Sequence, residues 1–248
     1  MEMLTFVAFL VGGATILGAA MGLVFKTTSQ KFNDGAMSVA AGLMLAAAVL
    51  GLIIPSLECD GKFGVFTTIL GIFSGALSVN LFDIILLRSY ERWGVQRGQG
   101  NERFRRVILF VAAIALHNLP EGMAAGVGFG GGDIGDGLFI ATAIALQNIP
   151  EGMTVTIAVK CANMKPRRAF LIAAMTGVVE IIATFIGYFA VSISEYLLPF
   201  ILAFAGGNML YVIADEMIPE THSGGEGHSS AYLILLGFCL MLILNALI

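Results

Sequence analysis

Eight apolar runs of about twenty residues, joined by short polar loops, leave this chain few ways to fold. They fall at roughly 4–25, 35–56, 64–87, 107–127, 137–159, 169–191, 198–219 and 231–248. At a rise of about 1.5 Å per residue, a helix of that length crosses the ~30 Å hydrocarbon core of a bilayer. Only 12% of the residues are charged, about half the share usual in a soluble domain, so the apolar surface faces lipid. No loop is long enough for a second domain. The expected fold is therefore all-α: a polytopic membrane protein with eight transmembrane helices in one bundle, residues 1–248 forming a single transmembrane domain. The 31 glycines suit close helix contacts in lipid. The first run lacks a basic flank and is too long for a signal peptide, so it reads as a retained span. Cys59, Cys161 and Cys239 are scattered and make neither a disulfide framework nor a Cys-x-x-Cys metal site.

Short-loop Lys and Arg set the orientation. The loops after spans 1, 3 and 5 hold Lys26 and Lys31; Arg88, Arg92, Arg97, Arg103, Arg105 and Arg106; and Lys160, Lys165, Arg167 and Arg168. The opposite side holds Lys62 alone. The basic loops are thus expected in the cytoplasm and both termini outside, in a cell (inner or plasma) membrane. The outer loops carry Glu58, Asp60, Asp133, Asp136 and Glu195, a mildly acidic face that would concentrate cations.

The chemistry sits in a repeated stretch. Residues 113–123 read Ala-Ile-Ala-Leu-His-Asn-Leu-Pro-Glu-Gly-Met, and 143–153 read Ala-Ile-Ala-Leu-Gln-Asn-Ile-Pro-Glu-Gly-Met. Span 6 adds Glu180, so Glu121, Glu151 and Glu180 reach one depth near mid-membrane. On insertion scales each costs roughly 2.5–3.5 kcal/mol there, and no Lys or Arg lies at that depth to compensate. A cation from outside the chain is the natural counter-charge. His117 and Glu121 share one helix face, as do Gln147 and Glu151, and Asn118 and Asn148 sit about 100° round from their neighbours. Pro120 and Pro150 remove the backbone bonds to the carbonyls of Leu116 and Leu146, which in lipid need another partner. One imidazole, three carboxylates and several amides suit Zn2+, Fe2+, Mn2+, Co2+ or Cd2+, and the lack of thiolate argues against Cu+. A single Asn or His in a membrane helix is ordinarily interhelical glue; glue does not call for the same polar and helix-breaking positions twice.

Three further features follow from the residues. Asp215, Glu216, Glu220 and His222 at the inner end of span 7, with Glu226 and His228 beyond, are candidate exit ligands, with a merely solvated helix end as the competing reading; Asn80 and Asp83 are weaker ones. Gly42-Leu-Met-Leu with Ile54-Pro55 in span 2 echoes Gly207-Asn-Met-Leu with Ile218-Pro219 in span 7, one residue out of register. As these spans run in opposite directions, an inverted repeat of helices 1–3 and 6–8 around helices 4–5 is expected. Gly12, Gly18 and Gly22 permit a homodimer.

His-Asn-x-Pro-Glu-Gly followed by Gln-Asn-x-Pro-Glu-Gly resembles the ZIP (Zrt/Irt-like protein) family of divalent metal transporters, in its bacterial GufA-like branch. The likeness covers essentially the whole chain. It implies a binuclear site: His117, Glu121, Gln147 and Glu151 around one metal, and Asn118, Asn148, Glu151 and Glu180 around the other, with Glu121 in reach. Some relatives have Asp where Asn148 stands, and a neutral ligand lowers the charge of the second site. Met44 matches a position where relatives place a Met near the first metal; a packing Met is the competing reading. The resemblance implies a transporter moving Zn2+ or a related divalent metal into the cytoplasm. The metal is cargo rather than cofactor; the partners are the metal and the bilayer, with no nucleic acid. A metal-selective channel, or a metal-binding structural or sensor protein without flux, are the alternatives. An intramembrane metalloenzyme is a weaker rival: it would want a His-Glu-x-x-His pair, whereas here Asn118 follows His117 and Glu121 stands at i+4.

Overall fold

Helices account for every long element of the computed structural model, which describes residues 1–24, 30–59, 64–96, 102–130, 134–161, 164–193, 197–222 and 227–247. They are α1 (Glu2–Val24), α2 (Gln30–Ala46), α3 (Ile54–Cys59), α4 (Gly64–Gln96), α5 (Glu102–Gly130), α6 (Ile134–Cys161), α7 (Pro166–Ile193), α8 (Leu198–Val212), α9 (Ile218–His222) and α10 (Gly227–Leu247). A π-helical segment, Ala47–Ile53, joins α2 to α3, and a second, Ile213–Met217, joins α8 to α9. Among the described residues there is no strand, and the helices join into eight rods. Six of the rods contain stretches long and apolar enough to cross a membrane: Glu2–Val24, Asp34–Glu58, Gly64–Phe82, Pro166–Val191, Leu198–Met217 and His228–Leu247. The other two, α5 and α6, have 29 and 28 residues and carry the interior polar groups. The chain is a multi-pass, all-α membrane protein. Phe66, Phe73 and Tyr232 stand more than 70% exposed on its flanks, an apolar surface that suits lipid rather than water.

The rods overrun the apolar runs. α4 continues to Gln96, nine residues past the end of its apolar run, so Arg88 and Arg92 ride on a helix rather than in a loop. Hydropathy marks where lipid stops. It does not stop a helix, and residues 88–93 contain no Pro or Gly to do so. Lys26, Asp60, Lys62, Arg97, Asp133, Glu195 and Glu226 lie outside the described residues, as do the side chains of Asp83, Arg92, Arg103, Arg105, Arg106, Asp136 and Glu220.

Both π-segments have the same cause. Pro55 and Pro219 lack an N–H, and a proline ring crowds the carbonyl four residues back. Immediately before each proline the helix widens: the Ile54 N–H donates to Val49 O and the Ile218 N–H to Ile213 O, five residues back in each case. The one-residue slip between the Met-Leu and Ile-Pro landmarks of spans 2 and 7 falls in the stretches that contain these segments, Ala47–Ile53 in one and the shorter Ile213–Met217 in the other.

The inverted repeat extends into the packing. α1 lies against α6 and α7, and α5 against α7; α4 lies against α8, and α10 against α2. Adding 165 to residue numbers in rods 1 and 2 maps their close contacts onto rods 6 and 7. Gly152 meets Thr15 O as Gly122 meets Glu180 O, and Gly22 meets Met153 as Gly187 meets Met123. Gly237 meets Val39 and Leu43 as Gly75 meets Phe204 and Asn208. At the centre Gly12 abuts Gly177 O and Ile181, while Gly177 abuts Gly12 O and Ile16. Equivalent glycines touching one another mark a pseudo-two-fold axis between α1 and α7. Polar bonds follow the same division into two sets. Ser78 Oγ donates to Asn208 Oδ1 at 2.9 Å and Asn80 Nδ2 to Tyr211 OH at 2.8 Å, tying α4 to α8. Thr156 Oγ1 donates to Ala19 O at 3.1 Å, and Lys160 Nζ to Gly22 O and Leu23 O, tying α6 to α1. Asn80 is thus a cross-link between helices.

Candidate metal centre

Four helices of one set, α1, α5, α6 and α7, bring the seven predicted residues together. A continuous α-helix runs through Pro120 and Pro150, which keeps His117 and Glu121 on one face and Gln147 and Glu151 on the facing one. Gln147 Nε2 donates to Glu121 Oε1 at 2.7 Å and so joins the two copies of the motif. With Glu151 they line a cavity of about 270 Å³. The rest of its wall comes from Ile114 on α5, Pro150 and Thr154 on α6, Ala36, Met37 and Ala40 on α2, and Val212, Glu216 and Met217 around the second π-segment. Glu216 Oε1 stands 2.8 Å from His117 Nε2, an ion pair when the imidazole is protonated.

The remaining three lie deeper. Asn118, Asn148 and Glu180 are fully buried. Asn118 Nδ2 donates to Glu180 Oε1 and Asn148 Nδ2 to Glu180 Oε2. Asn148 Nδ2 also reaches Val11 O at 3.3 Å. A third donor comes from a residue that the sequence did not mark: Thr15 Oγ1 on α1 donates to Glu180 Oε1 at 2.7 Å. Both oxygens of this carboxylate are therefore held.

The site has more acceptors than donors. Asn118 Oδ1, Glu121 Oε2, Gln147 Oε1, Asn148 Oδ1 and Glu151 Oε1 are buried and make no hydrogen bond. Leaving one such group without a partner costs about 1–3 kcal/mol. Five on neighbouring turns of two helices constitute a site whose chemistry asks for a cation. Among the described residues no three His, Cys, Asp or Glu side chains close on one point, so an ion here would draw on the amide oxygens as well. The dominance of oxygen among the candidate ligands suits hard to borderline divalent ions.

Among the described residues the cavity runs toward one side. Its non-site lining lies toward the ends of the rods that carry the basic loops. On the other side, Leu52, Ala124, Val127, Phe139, Ile140 and Ile144 form a buried apolar plug. Of the other sequence candidates, Glu216 lines this cavity, whereas Asp215 and His222 are exposed and the latter's Nδ1 lies 2.7 Å from Ile218 O. Met44 is 1% exposed among apolar neighbours of the core and is not part of the cavity wall.

The sequence that builds this centre is matched in known proteins. The family model described as ZIP zinc transporter fits residues 94–245. The chain belongs to the ZIP zinc transporter family. The zinc transporter GufA of Myxococcus xanthus is 36% identical over 244 residues, which cover 96% of each chain. The zinc transporter ZIPB of Bordetella bronchiseptica is also 36% identical, over 94% of this chain and 77% of its own. The human zinc transporter ZIP11 is 30% identical, over 96% and 94%. The ZIP family is one of transporters rather than enzymes, in keeping with the missing hydrolytic pair. The ZIP model takes in α5, α6 and α7 whole, and with them His117, Asn118, Glu121, Gln147, Asn148, Glu151 and Glu180, but not Met44.

Proposed function

We propose that this chain, a single transmembrane domain of eight spans, moves Zn2+ or a closely related divalent ion, such as Cd2+, Fe2+, Mn2+ or Co2+, from outside into the cytoplasm of the cell. The observation that carries the reading is the set of five buried acceptor oxygens with no donor, contributed by the two copies of one motif. An arriving ion exchanges water for His117, Glu121, Gln147 and Glu151. A second ion sits with Asn118, Asn148, Glu180 and the shared Glu151. The basic-loop side is the cytoplasm by the excess of Lys and Arg there. The cavity, which runs toward that side past Glu216, is the exit. A rearrangement of the site-bearing helices against the other set then opens the outer side.

Uptake of Zn2+ and Cd2+ into proteoliposomes, with a Glu151→Ala control, tests this directly. Saturable uptake that disappears in the variant, with insertion and folding intact, is the expected result. Normal flux in Glu151→Ala would overturn the assignment, and binding without flux would turn it into a metal-stapled bundle or sensor.

A further inference from the structure

Glu180 has three donors, and they are not equivalent. Two of them, Asn118 and Asn148, belong to the candidate ligand set. To offer Oδ1 to an ion, each must turn its carboxamide and withdraw the Nδ2–H that it gives Glu180. Thr15 belongs to a different helix, and its hydroxyl reaches Glu180 Oε1 at 2.7 Å from a fully buried position. It can keep donating whichever way the amides turn.

We propose that Thr15 is the positioning residue of the deeper ion: its hydroxyl holds Glu180 Oε1 while Oε2 is left to face the metal. This rests on the reading of the site as a metal centre and names a residue outside the ligand set implied by the motif. The packing around Thr15 reinforces the geometry. Its carbonyl is pressed against Gly152, and its Cβ against Gly177, so α1 is fixed against both α6 and α7 at this level. The hydroxyl therefore meets Glu180 on a rigid frame rather than by side-chain adjustment. Partners of metal-bound carboxylates characteristically change metal affinity by roughly 10–100-fold when removed.

The test is Cd2+ titration calorimetry on the full chain in nanodiscs. The step lost in Asn118→Ala reports the deeper ion, and the step lost in His117→Ala reports the other. Thr15→Val removes the hydroxyl at nearly constant volume, and Thr15→Ala against Thr15→Ser repeats the comparison at a smaller size. The expected result is about a tenfold weakening of the deeper step in the Val and Ala variants, with Thr15→Ser restoring it and the His117 step unmoved. Wild-type affinity in Thr15→Val, or equal loss in the Ser and Ala variants, would overturn the proposal in favour of a packing role for the methyl. If Thr15→Val fails to insert, the Ser and Ala pair decides alone. Absence of any Cd2+ step in the wild type would instead sink the metal-centre reading.

Discussion

Two adjacent glycines on α1 offer a test of the packing with its own control. A Cβ built on Gly12 would lie 2.2 Å from Gly177 O and 2.6 Å from Ile181, whereas one built on Gly13 meets nothing within 4 Å. Ordinary contact begins near 3.4 Å, so Gly12→Ala requires α1 and α7 to part by about 1.2 Å. Overpacking of this kind costs roughly 1–3 kcal/mol. The displacement has a second effect one turn away. Moving α7 outward by that amount carries the Thr15–Glu180 bond from 2.7 Å to about 3.9 Å, beyond hydrogen-bonding range. A bond to a charged group is worth about 1.5–3 kcal/mol. Together the two effects predict a loss of roughly 2.5–6 kcal/mol for Gly12→Ala. Gly13→Ala should lose nothing and gain up to about 1 kcal/mol of helix propensity. Thermal unfolding of the two variants side by side in one detergent reads the difference. At about 2–4 °C per kcal/mol, Gly12→Ala should melt roughly 10 °C below Gly13→Ala. Equal melting temperatures would refute the account of the α1–α7 contact and the pseudo-two-fold axis with it.

Asn148→Asp exchanges a donor to Glu180 for a second anion. Without metal it should be less stable than wild type by about 1–3 kcal/mol, and saturating Cd2+ should raise its melting temperature more than that of wild type; a smaller metal-induced rise would contradict the placement of residue 148 at the deeper ion. Tyr211→Phe cuts the bond from Asn80 in the set of helices away from the site. It should cost only about 0.5–1.5 kcal/mol and leave Cd2+ affinity unchanged in titration, since Tyr211 is not among the residues that line the cavity.

The residues that the sequence announced are the expensive ones. A mid-membrane Glu, Asn or His stands out because lipid penalises it; the structure puts His117, Glu121, Gln147 and Glu151 on one cavity and Asn118 and Asn148 against Glu180. Thr15 escaped notice because a hydroxyl in a membrane helix is cheap; it can bond back to its own helix, as Thr184 does to Glu180 O. The position of Thr15 opposite Glu180 emerges only once α1 and α7 are side by side. Ile-Pro at 54–55 and 218–219 hinted at symmetry, but the two π-segments depend on how each helix accommodates its proline, and either a kink or a wider turn would satisfy the same residues. The pairing of His117 with Glu216 was half legible. Glu216 belonged to a polar cluster at a helix end, and only the fold separates it from the exposed Asp215. Met44 illustrates the converse: resemblance placed it near a metal, and its surroundings are those of a core residue.

The pseudo-two-fold axis has a consequence for what a fused chain can do that two half-chains cannot. Under the 165-residue relation Thr15 and Glu180 are equivalent positions, and they touch. In an isologous pair of identical halves a residue on the axis meets its own copy: two glutamates would repel, and two threonines would bring no charge. Joining the halves in one polypeptide lets the two copies differ, so that a donor faces an acceptor across the axis. The symmetry that shapes the bundle is broken at the level of Glu180, and that breakage gives the deeper group a single carboxylate with a fixed direction.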